Sequence, residues 1–268
     1  MRKMPLGCAG SGVHLLWFLC RRRLGADLAS RYNRPMASSN PSPPVVVRCK
    51  GILFDMDGVL ISSLGSVERS WTRWAEMRGI DPAYALSIVH GRRSIETVAR
   101  LRPDLDAEAE NRIIEKLEID DTEGVKVLPG VLDLLAALPA GSWTVVTSAT
   151  GALARVRLAA ARIPASGPIV TADDVVKGKP DPAPYLAGAA LLGLPPAECV
   201  VIEDASSGAK AGRTAGCTVI ATTFSHSIES LDAANYIVPD LKGVTVTAPP
   251  GGECIDLTFT PIAASVKA

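Results

Sequence analysis

A short acidic sequence, Asp55-Met56-Asp57-Gly58, follows the apolar run 51–54 and constrains the fold of this 268-residue chain most strongly. Two carboxylates two residues apart on an extended backbone point the same way. A bend directly after the strand, which Gly58 permits, brings both side chains and a backbone carbonyl toward one point. Such a point suits a hard divalent cation such as Mg²⁺, which takes oxygen ligands. A metal-held carboxylate beside a second carboxylate is also the minimum set of groups for nucleophilic attack and proton transfer on a phosphate ester.

Three further segments place polar groups where an apolar run ends or where prolines interrupt the chain. They are the hydroxyls Thr147 and Ser148 after the run 143–146, Lys179 in the loop 177–184, and the acidic pair Glu203-Asp204 after the run 199–202. In an open parallel sheet the carboxyl ends of the strands lie along one edge, where such folds bind ligands. Carboxylates for a metal, a hydroxyl and a lysine for phosphate oxygens are therefore expected to meet in one site.

From residue 143 onward, short apolar runs alternate with helical patterns. This alternation predicts an α/β fold with a parallel sheet and helices on both faces. The predicted order is strand 143–147, helix 153–161, strand 169–171, helix 184–192, strand 200–203, helix 206–215, strand 218–221 and strand 236–240. Alternating apolar and polar residues at 244–246 and 253–259 predict an edge hairpin after these elements.

The segment before Pro129 has a different pattern. Val67, Trp71, Trp74 and Ala75 recur at the spacing of one face of an amphipathic helix, and helical patterning continues toward residue 117. We therefore predict an α-helical cap domain inserted into the α/β core. The predicted divisions are an N-terminal extension at 1–44, a core at 45–66 and 129–248, a cap at 67–128, and a C-terminal edge strand or tail at 249–268.

The N-terminal extension differs in charge from the rest of the chain. Residues 1–49 hold eight Arg or Lys and one acid, which leaves 20 basic and 27 acidic residues from Lys50 onward, a net charge of −7. The Arg-rich extension is interpreted either as a mitochondrial targeting segment or as a disordered lead before a translation start at Met36. The acidic remainder argues against nucleic acid as a partner.

Other features bear on the cellular compartment. The apolar stretch 13–20 is far too short to span a bilayer, so no membrane partner is expected. The six cysteines have no C-x-x-C spacing, which argues against a zinc site or a disulfide framework. We predict a cytoplasmic protein, with mitochondria as the alternative if the extension is a targeting segment.

The four polar segments together resemble the four motifs of the haloacid dehalogenase superfamily, in the branch whose helical cap follows the first motif. The resemblance covers about residues 50–246, and the segments 90–95, 178–186 and 221–224 most resemble glycerol-phosphate and 2-deoxyglucose-6-phosphate phosphatases. It implies a Rossmann-like α/β core, Mg²⁺ as the cofactor and a small phosphorylated metabolite as the substrate. A monomer is expected because the mechanism needs a mobile cap.

The resemblance also implies roles for the acidic residues. Asp55 is implied to attack phosphorus and form a phosphoaspartate. Asp57 is implied to protonate the leaving alkoxide and then to deprotonate the water that releases phosphate. Mg²⁺ is implied to bind Asp55, the backbone carbonyl of Asp57, and Asp204. Glu203 is implied either to bind the metal directly or to support its ligands.

The phosphoryl group is expected to contact a lysine and a hydroxyl. Lys179 is preferred over Lys177 because the family pattern places the functional lysine directly before a proline. Thr147 and Ser148 both stay candidates for the hydroxyl, with Ser148 preferred, because both lie at the end of the strand.

Substrate choice is expected to lie in the cap. Gly91, Arg92 and Arg93 precede a helix predicted to begin at Ser94, where arginines can meet hydroxyls or phosphate. The other candidates are assigned to structure or to solvent: His90 as structural, His226 as exposed, and Trp71 and Trp74 as packing residues.

Three functions are compatible with parts of this pattern. The leading hypothesis is a Mg²⁺-dependent phosphatase for small polyol or sugar phosphates. A β-phosphoglucomutase-like isomerase shares all four motifs, but the segments 90–95 and 221–224 resemble the phosphatases better. A non-catalytic binding protein is disfavoured because Asp55, Asp57, Lys179 and Asp204 are all present.

Overall fold

The computed structural model describes residues 43–89, 94–165, 167–248 and 254–264, and a six-stranded sheet forms the core of this part. The strands are β1 (Val45–Cys49), β2 (Gly51–Phe54), β3 (Ile61–Ser62), β4 (Lys126–Val127), β5 (Trp143–Val145), β6 (Cys199–Glu203), β7 (Thr218–Thr222), β8 (Tyr236–Val238), β9 (Thr245–Thr247), β10 (Ile255–Phe259) and β11 (Ala263–Ala264). The helices are α1 (Leu64–Met77), α2 (Pro82–Val89), α3 (Ser94–Leu101), α4 (Ala107–Asp120), α5 (Val131–Ala137), α6 (Gly151–Ala160), α7 (Ala183–Leu191) and α8 (Ser206–Ala215).

The order of strands in the main sheet is β11-β8-β7-β6-β2-β5. All pairs are parallel except the last at one edge, where β11 runs antiparallel to β8. Phe54 at the end of β2 pairs with Ile202 of β6 on one side and with Val145 of β5 on the other. The carboxyl ends of these three strands therefore adjoin, as the sequence predicts.

Successive residues of β2 pack on opposite faces of the sheet, because side chains alternate along a strand. Ile52 and Phe54 join an apolar cluster with residues of α5 and α6, whereas Leu53 joins a second cluster with residues of α7 and α8. All three side chains are fully buried. Burial of each large apolar side chain contributes about 1.5–3 kcal/mol. The α/β fold with helices on both faces is confirmed.

Helices α1 to α4, which lie between β3 and β4 in the sequence, pack around an apolar cluster of their own. Trp71 and Trp74 are both buried, and their rings meet edge to face with centroids 5.4 Å apart. Glu110 of α4 accepts hydrogen bonds from Trp74 Nε1 and Arg78 Nε, both at 2.8 Å. These contacts tie α1 to α4. The inserted helical cap is confirmed, while its bounds of 67–128 stay a prediction.

Several elements differ from the sequence prediction, among them α5, which was not predicted. Helix α2 was not predicted, because its residues are mostly apolar or small all round and show no stripe of one polarity. The predicted strand 169–171 is a single parallel bridge between Val170 and Val146. The chain turns directly after it, since the backbone N–H and Oγ1 of Thr171 both donate to Asp174 Oδ2 and begin a 3₁₀ helix.

The predicted edge hairpin forms, but at a different place in the fold. β9 and β10 pair antiparallel, and β10 also pairs with β1 in a separate three-stranded sheet. The edge of the main sheet is formed instead by β11. Sequence alternation predicts the hairpin strands but not their partner, because β1 is far away along the chain.

None of the helices that the structure describes is long and apolar enough to cross a membrane. The predicted N-terminal extension 1–44 lies outside the described residues except for positions 43 and 44.

Candidate active site

The predicted polar side chains of the core meet at the carboxyl edge of the main sheet. They line one cavity of about 460 Å³ between the sheet edge and the cap: Asp55 and Asp57 after β2, Thr147 and Ser148 after β5, Lys179 before α7, and Glu203 and Asp204 at the end of β6. The cap contributes residues of all four helices α1 to α4 to the same cavity. Strand order thus converts four separate motifs into one site.

Lys179 bridges the first and last acidic motifs. Its Nζ lies 2.6 Å from Asp55 Oδ1 and 2.8 Å from Glu203 Oε1, and it donates to the carbonyl oxygen of Val146 at 3.1 Å. Burial lowers the pKa of Lys179, but the two carboxylates outweigh it and raise the pKa above its ordinary value. The ammonium therefore stays charged in the site. Lys177, the competing lysine, is exposed.

Glu203 is fully buried and held by protein donors at both oxygens. Oε2 accepts the backbone N–H groups of Asp204 and Ala205, each at 2.8 Å, and Oε1 accepts the Tyr185 hydroxyl at 2.9 Å in addition to Lys179. Burial raises the pKa of Glu203, but Lys179 and the two N–H groups outweigh this effect and hold the pKa below its ordinary value. Glu203 is therefore a fixed anion of the site.

Asp55, Glu203 and Asp204 form a cluster of carboxylates. One oxygen from each lies within 4.8 Å of the others. Burial raises the pKa of Asp55 to about 7 and that of Asp204 to about 8, and the charge of Glu203 adds to both shifts. A buried group of hard oxygen donors that repel one another fits a divalent cation such as Mg²⁺.

Gly58, the glycine of the first motif, is required for steric reasons in addition to its role in the turn. Gly58 has φ +85°, and a Cβ at this position would lie 1.9 Å from Asp204 Oδ2. The same oxygen accepts a hydrogen bond from the Ser225 hydroxyl. Gly58 therefore both turns the chain after β2 and leaves room for the carboxylate of Asp204, directly after β6.

Asp57 lies in the same cavity, held at both oxygens. Ser63 donates to its Oδ1 at 2.5 Å, and Arg157 Nη1 of α6 donates to its Oδ2 at 3.1 Å. Neither partner was singled out from the sequence. A signal for Arg157 exists, since it lies four residues after Leu153 and three after Ala154 on the buried face of α6.

Cap helix α4 contacts the core at α6 and at the residue before it. Arg157 Nη2 lies 3.4 Å from Glu118 Oε2, and the Thr150 hydroxyl donates to Glu115 Oε1. Burial raises the pKa of Glu118 to about 7, although Arg157 opposes the shift. Both glutamates line the cavity and both were missed from the sequence, because charged residues on α4 look like part of a solvated helix face.

The two candidate hydroxyls have different surroundings. Thr147 is buried, and its Oγ1 accepts the backbone N–H of Ala149 at 3.1 Å. Ser148 is exposed and lines the same cavity.

The predicted cap residues Gly91, Arg92 and Arg93, together with His90, lie outside the described residues. His226 is half-buried and lines the cavity, so the prediction that it is solvent-exposed was wrong. Its Nδ1 lies 2.6 Å from the Ser225 hydroxyl oxygen.

Comparison with known proteins shows close similarity to one family. The family model for haloacid dehalogenase-like hydrolases matches residues 49–216. Hexitol phosphatase A of Escherichia coli (strain K12) is 41% identical and covers 78% of this chain and 99% of its own length. Glycerol-1-phosphate phosphohydrolase 1 of Saccharomyces cerevisiae is 32% identical and covers 76% and 87%, respectively. The crystal structure of a hydrolase from Pseudomonas syringae has a TM-score of 0.63 at 26% identity and covers 72% and 94%.

Proposed function

Because the chain belongs to the haloacid dehalogenase-like hydrolase family, we propose that it is a Mg²⁺-dependent phosphatase for small polyol or sugar phosphomonoesters. One observation carries this proposal: Lys179 joins Asp55 to Glu203 beside Asp204 in a cavity that Asp57 also lines. A cavity of about 460 Å³ suits a small phosphorylated metabolite.

In the proposed reaction Asp55 is the nucleophile. Its carboxylate attacks phosphorus, the bond from phosphorus to the ester oxygen breaks, and Asp57 donates its proton to the leaving alkoxide. Asp57 then takes a proton from a water molecule, which attacks the phosphorus of the phosphoaspartate. The acyl phosphate bond breaks, inorganic phosphate leaves, and Asp55 is regenerated.

The metal ligands proposed are Asp55, Asp204 and the backbone carbonyl of Asp57. Mg²⁺, when bound, offsets the negative charge of the phosphate and of the carboxylates. Glu203 is proposed to support these ligands rather than to bind the metal, because protein donors already occupy both of its oxygens.

The phosphoryl oxygens are proposed to bind Lys179 and a hydroxyl after β5. Lys179 is buried and charged at the sheet edge, which suits it to hold the charge that develops in the transition state. Ser148 is preferred over Thr147 because Ser148 is exposed where it lines the cavity, whereas Thr147 is buried.

Gly91, Arg92 and Arg93 are proposed to bind the part of the substrate beyond the phosphate. The observation that supports this is the position of the residues that follow them. Ser94, Ile95 and Glu96, at the start of α3, all line the cavity.

The proposal is tested by measuring phosphate release with Mg²⁺ from hexitol phosphates, glycerol phosphates, hexose 6-phosphates, 2-deoxyglucose 6-phosphate, phosphoglycolate and β-glucose 1-phosphate. Turnover of a polyol or sugar 6-phosphate is expected, and Asp55→Asn is expected to reduce it to background. The two relatives described above are named a phosphatase and a phosphohydrolase, so the mutase alternative is not favoured. Conversion of β-glucose 1-phosphate to glucose 6-phosphate with little free phosphate would contradict the proposal.

We also propose a monomer in the cytoplasm. The described cysteines, Cys49, Cys199, Cys217 and Cys254, are free thiols, which is typical of a reducing compartment. Light scattering on the purified full chain tests the monomer, and a fluorescent fusion imaged in cells tests the location.

A further inference from the structure

Arg157 has an unusual position for a helix arginine. It lies on α6 in the core, is 4% exposed, and lines the cavity. Its Nη1 donates to Asp57 Oδ2 at 3.1 Å, and its Nη2 lies 3.4 Å from Glu118 Oε2 on cap helix α4. One guanidinium therefore joins a carboxylate of the core site to a carboxylate of the cap.

Burial of this arginine calls for an explanation. Within the part of the chain that the structure describes, Arg157 Nε and Nη2 have no hydrogen-bond partner. A buried charge with unsatisfied donors is unfavourable unless other interactions offset it. An apolar residue would fill the same face of α6, which packs Leu153, Ala154 and Leu158 into the core, without this disadvantage.

The contacts of Asp57 indicate what offsets the unfavourable burial of Arg157. Ser63 fixes one carboxylate oxygen and Arg157 fixes the other, so the side chain is held in one orientation beside Asp55. Proton transfer requires a carboxylate to stay within hydrogen-bond reach of the reacting oxygen. Small displacements of such a group reduce the rate strongly.

We propose that Arg157 is a positioning residue for Asp57 and that Glu118 anchors it from the cap. The proposal rests on the proposed function, because it assumes that Asp57 transfers the proton. It makes the orientation of Asp57 depend on a contact between α4 and α6. Glu118 also balances the charge of Arg157. The guanidinium is therefore kept in the site while the Arg157–Glu118 pair has no net positive charge.

The neighbouring contact between the same helices provides a matched control. Thr150, the N-cap residue of α6, donates to Glu115 of α4, one turn from Glu118, and this pair does not include Asp57. If Arg157 only fastened the cap to the core, loss of Glu115 and loss of Arg157 would have effects of the same kind. A positioning role predicts that they differ.

The test compares Arg157→Gln, Glu118→Gln and the control Glu115→Ala, each alone and combined with Asp57→Asn. Two substrates are used: glycerol 1-phosphate, whose alkoxide needs a proton to leave, and p-nitrophenyl phosphate, whose phenolate leaves without one. Steady-state kcat and KM are measured for the first, and the initial burst of p-nitrophenolate for the second. Thermal unfolding checks that each variant is folded.

Arg157→Gln is expected to lower kcat on glycerol 1-phosphate at least about tenfold more than it lowers the p-nitrophenolate burst rate, with KM little changed. In the Asp57→Asn background it is expected to have almost no further effect, because residues that act together are not additive. Glu118→Gln should show the same pattern more weakly. Glu115→Ala should affect both substrates by one factor and add to Asp57→Asn.

Equal losses on both substrates, or full additivity with Asp57→Asn, would overturn the positioning role. If Arg157→Gln does not fold, Arg157→Lys and Glu118→Gln decide the matter by the same comparison. Lysine keeps the positive charge but has a single ammonium group in place of the planar guanidinium. Arg157→Lys is therefore expected to retain only part of the activity that Arg157→Gln loses. Failure of the proposed function is seen separately, as no phosphate release by the wild-type chain or full activity of Asp55→Asn.

Discussion

At the scale of single residues, the site depends on space as much as on charge. Gly58 and Gly208 each lie against a carboxylate of the last motif. A Cβ at Gly208 would lie 1.6 Å from Glu203 Oε1, closer than any real contact of such an atom. Gly208 is in the first turn of α8, directly behind the acidic pair. The carboxylates of Glu203 and Asp204 can take their positions only because both glycines lack a side chain.

Gly208→Ala is therefore expected to destabilise the protein. Helix propensity alone would favour alanine by up to about 1 kcal/mol. Displacement of the buried Glu203 is expected to outweigh this and to lower the free energy of unfolding by about 1–3 kcal/mol, together with a loss of phosphatase activity. Urea denaturation and phosphate release measure the two effects.

Gly243→Ala is the matched control for this substitution, since a Cβ there meets nothing within 4 Å and neither glycine has a positive φ. It should leave stability and activity nearly unchanged. A Gly208→Ala variant as stable and as active as this control would contradict the steric argument.

The motif residues could be predicted at this scale, whereas their partners could not. Asp55 and Asp204 follow apolar runs, and the parallel sheet fixes where such runs end; Lys179 lies in a loop that prolines interrupt. Arg157 contacts Asp57 from a helix 100 residues further along the chain, and Tyr185 contacts Glu203 from α7. Their sequence surroundings are those of ordinary helix residues, so only the packing of α6 and α7 reveals them.

At the scale of elements, prediction succeeded where burial leaves a clear pattern. The buried strand β6 reads as an apolar run, and α8 was predicted with the bounds that the structure has. Prediction failed for α2, whose uniform composition shows no stripe. It also misplaced the hairpin of β9 and β10, because pairing with β1 depends on contacts distant in sequence.

The contact between α1 and α4 predicts a pH-dependent stability of the cap. Glu110 accepts hydrogen bonds from Arg78 and Trp74, and the Arg78 bond holds the pKa of Glu110 below its ordinary value. Glu110→Gln is expected to lower the free energy of unfolding by about 1.5–3 kcal/mol at pH 7, since hydrogen bonds to a charged group are lost. Urea denaturation followed by tryptophan fluorescence measures this difference.

The difference in the free energy of unfolding between the wild-type protein and Glu110→Gln should become smaller at acidic pH. Because the pKa of Glu110 is lowered in the folded state, its ionised form stabilises the protein fully at pH values above the pKa of an unfolded glutamate, about 4.3. The stabilisation is lost as the pH falls below that value toward the lower pKa of the folded state. Glu108→Gln, on the exposed side of the same helix, serves as the control and should show little effect at either pH. A Glu110→Gln effect of equal size at pH 7 and pH 3.5 would contradict the assignment.

At the scale of the whole molecule, the core assembles carboxylates that repel one another when no metal is bound. Burial raises the pKa of Asp55 to about 7 and that of Asp204 to about 8. For acids with raised pKa values, the folded state holds protons that the unfolded state has lost. The metal-free protein should therefore lose stability as the pH rises from about 4 toward 8.

Mg²⁺ is expected to reverse this loss. Mg²⁺ at about 100 times its dissociation constant contributes about 2.7 kcal/mol, which corresponds to a rise in Tm of roughly 5–10 °C. The rise should be larger at pH 8 than at pH 6, because protons compete with the metal at the lower pH. Circular dichroism with Mg²⁺ or EDTA measures it. Asp204→Asn should raise the metal-free Tm at pH 8 and remove most of the response. An unchanged response in that variant would place the metal elsewhere.

The pairing of β1 with β10 ties together the two ends of the described sequence, with Val45 opposite Phe259. A ribosome adds about 5–20 residues per second, so β1 waits roughly ten seconds or more for its partner to be made. Until then the apolar side chains of Val47 and Cys49, buried in the finished protein, have no strand beside them. The nascent chain is therefore exposed to wrong partners over most of its synthesis, and emergence of β10 is the event that protects β1.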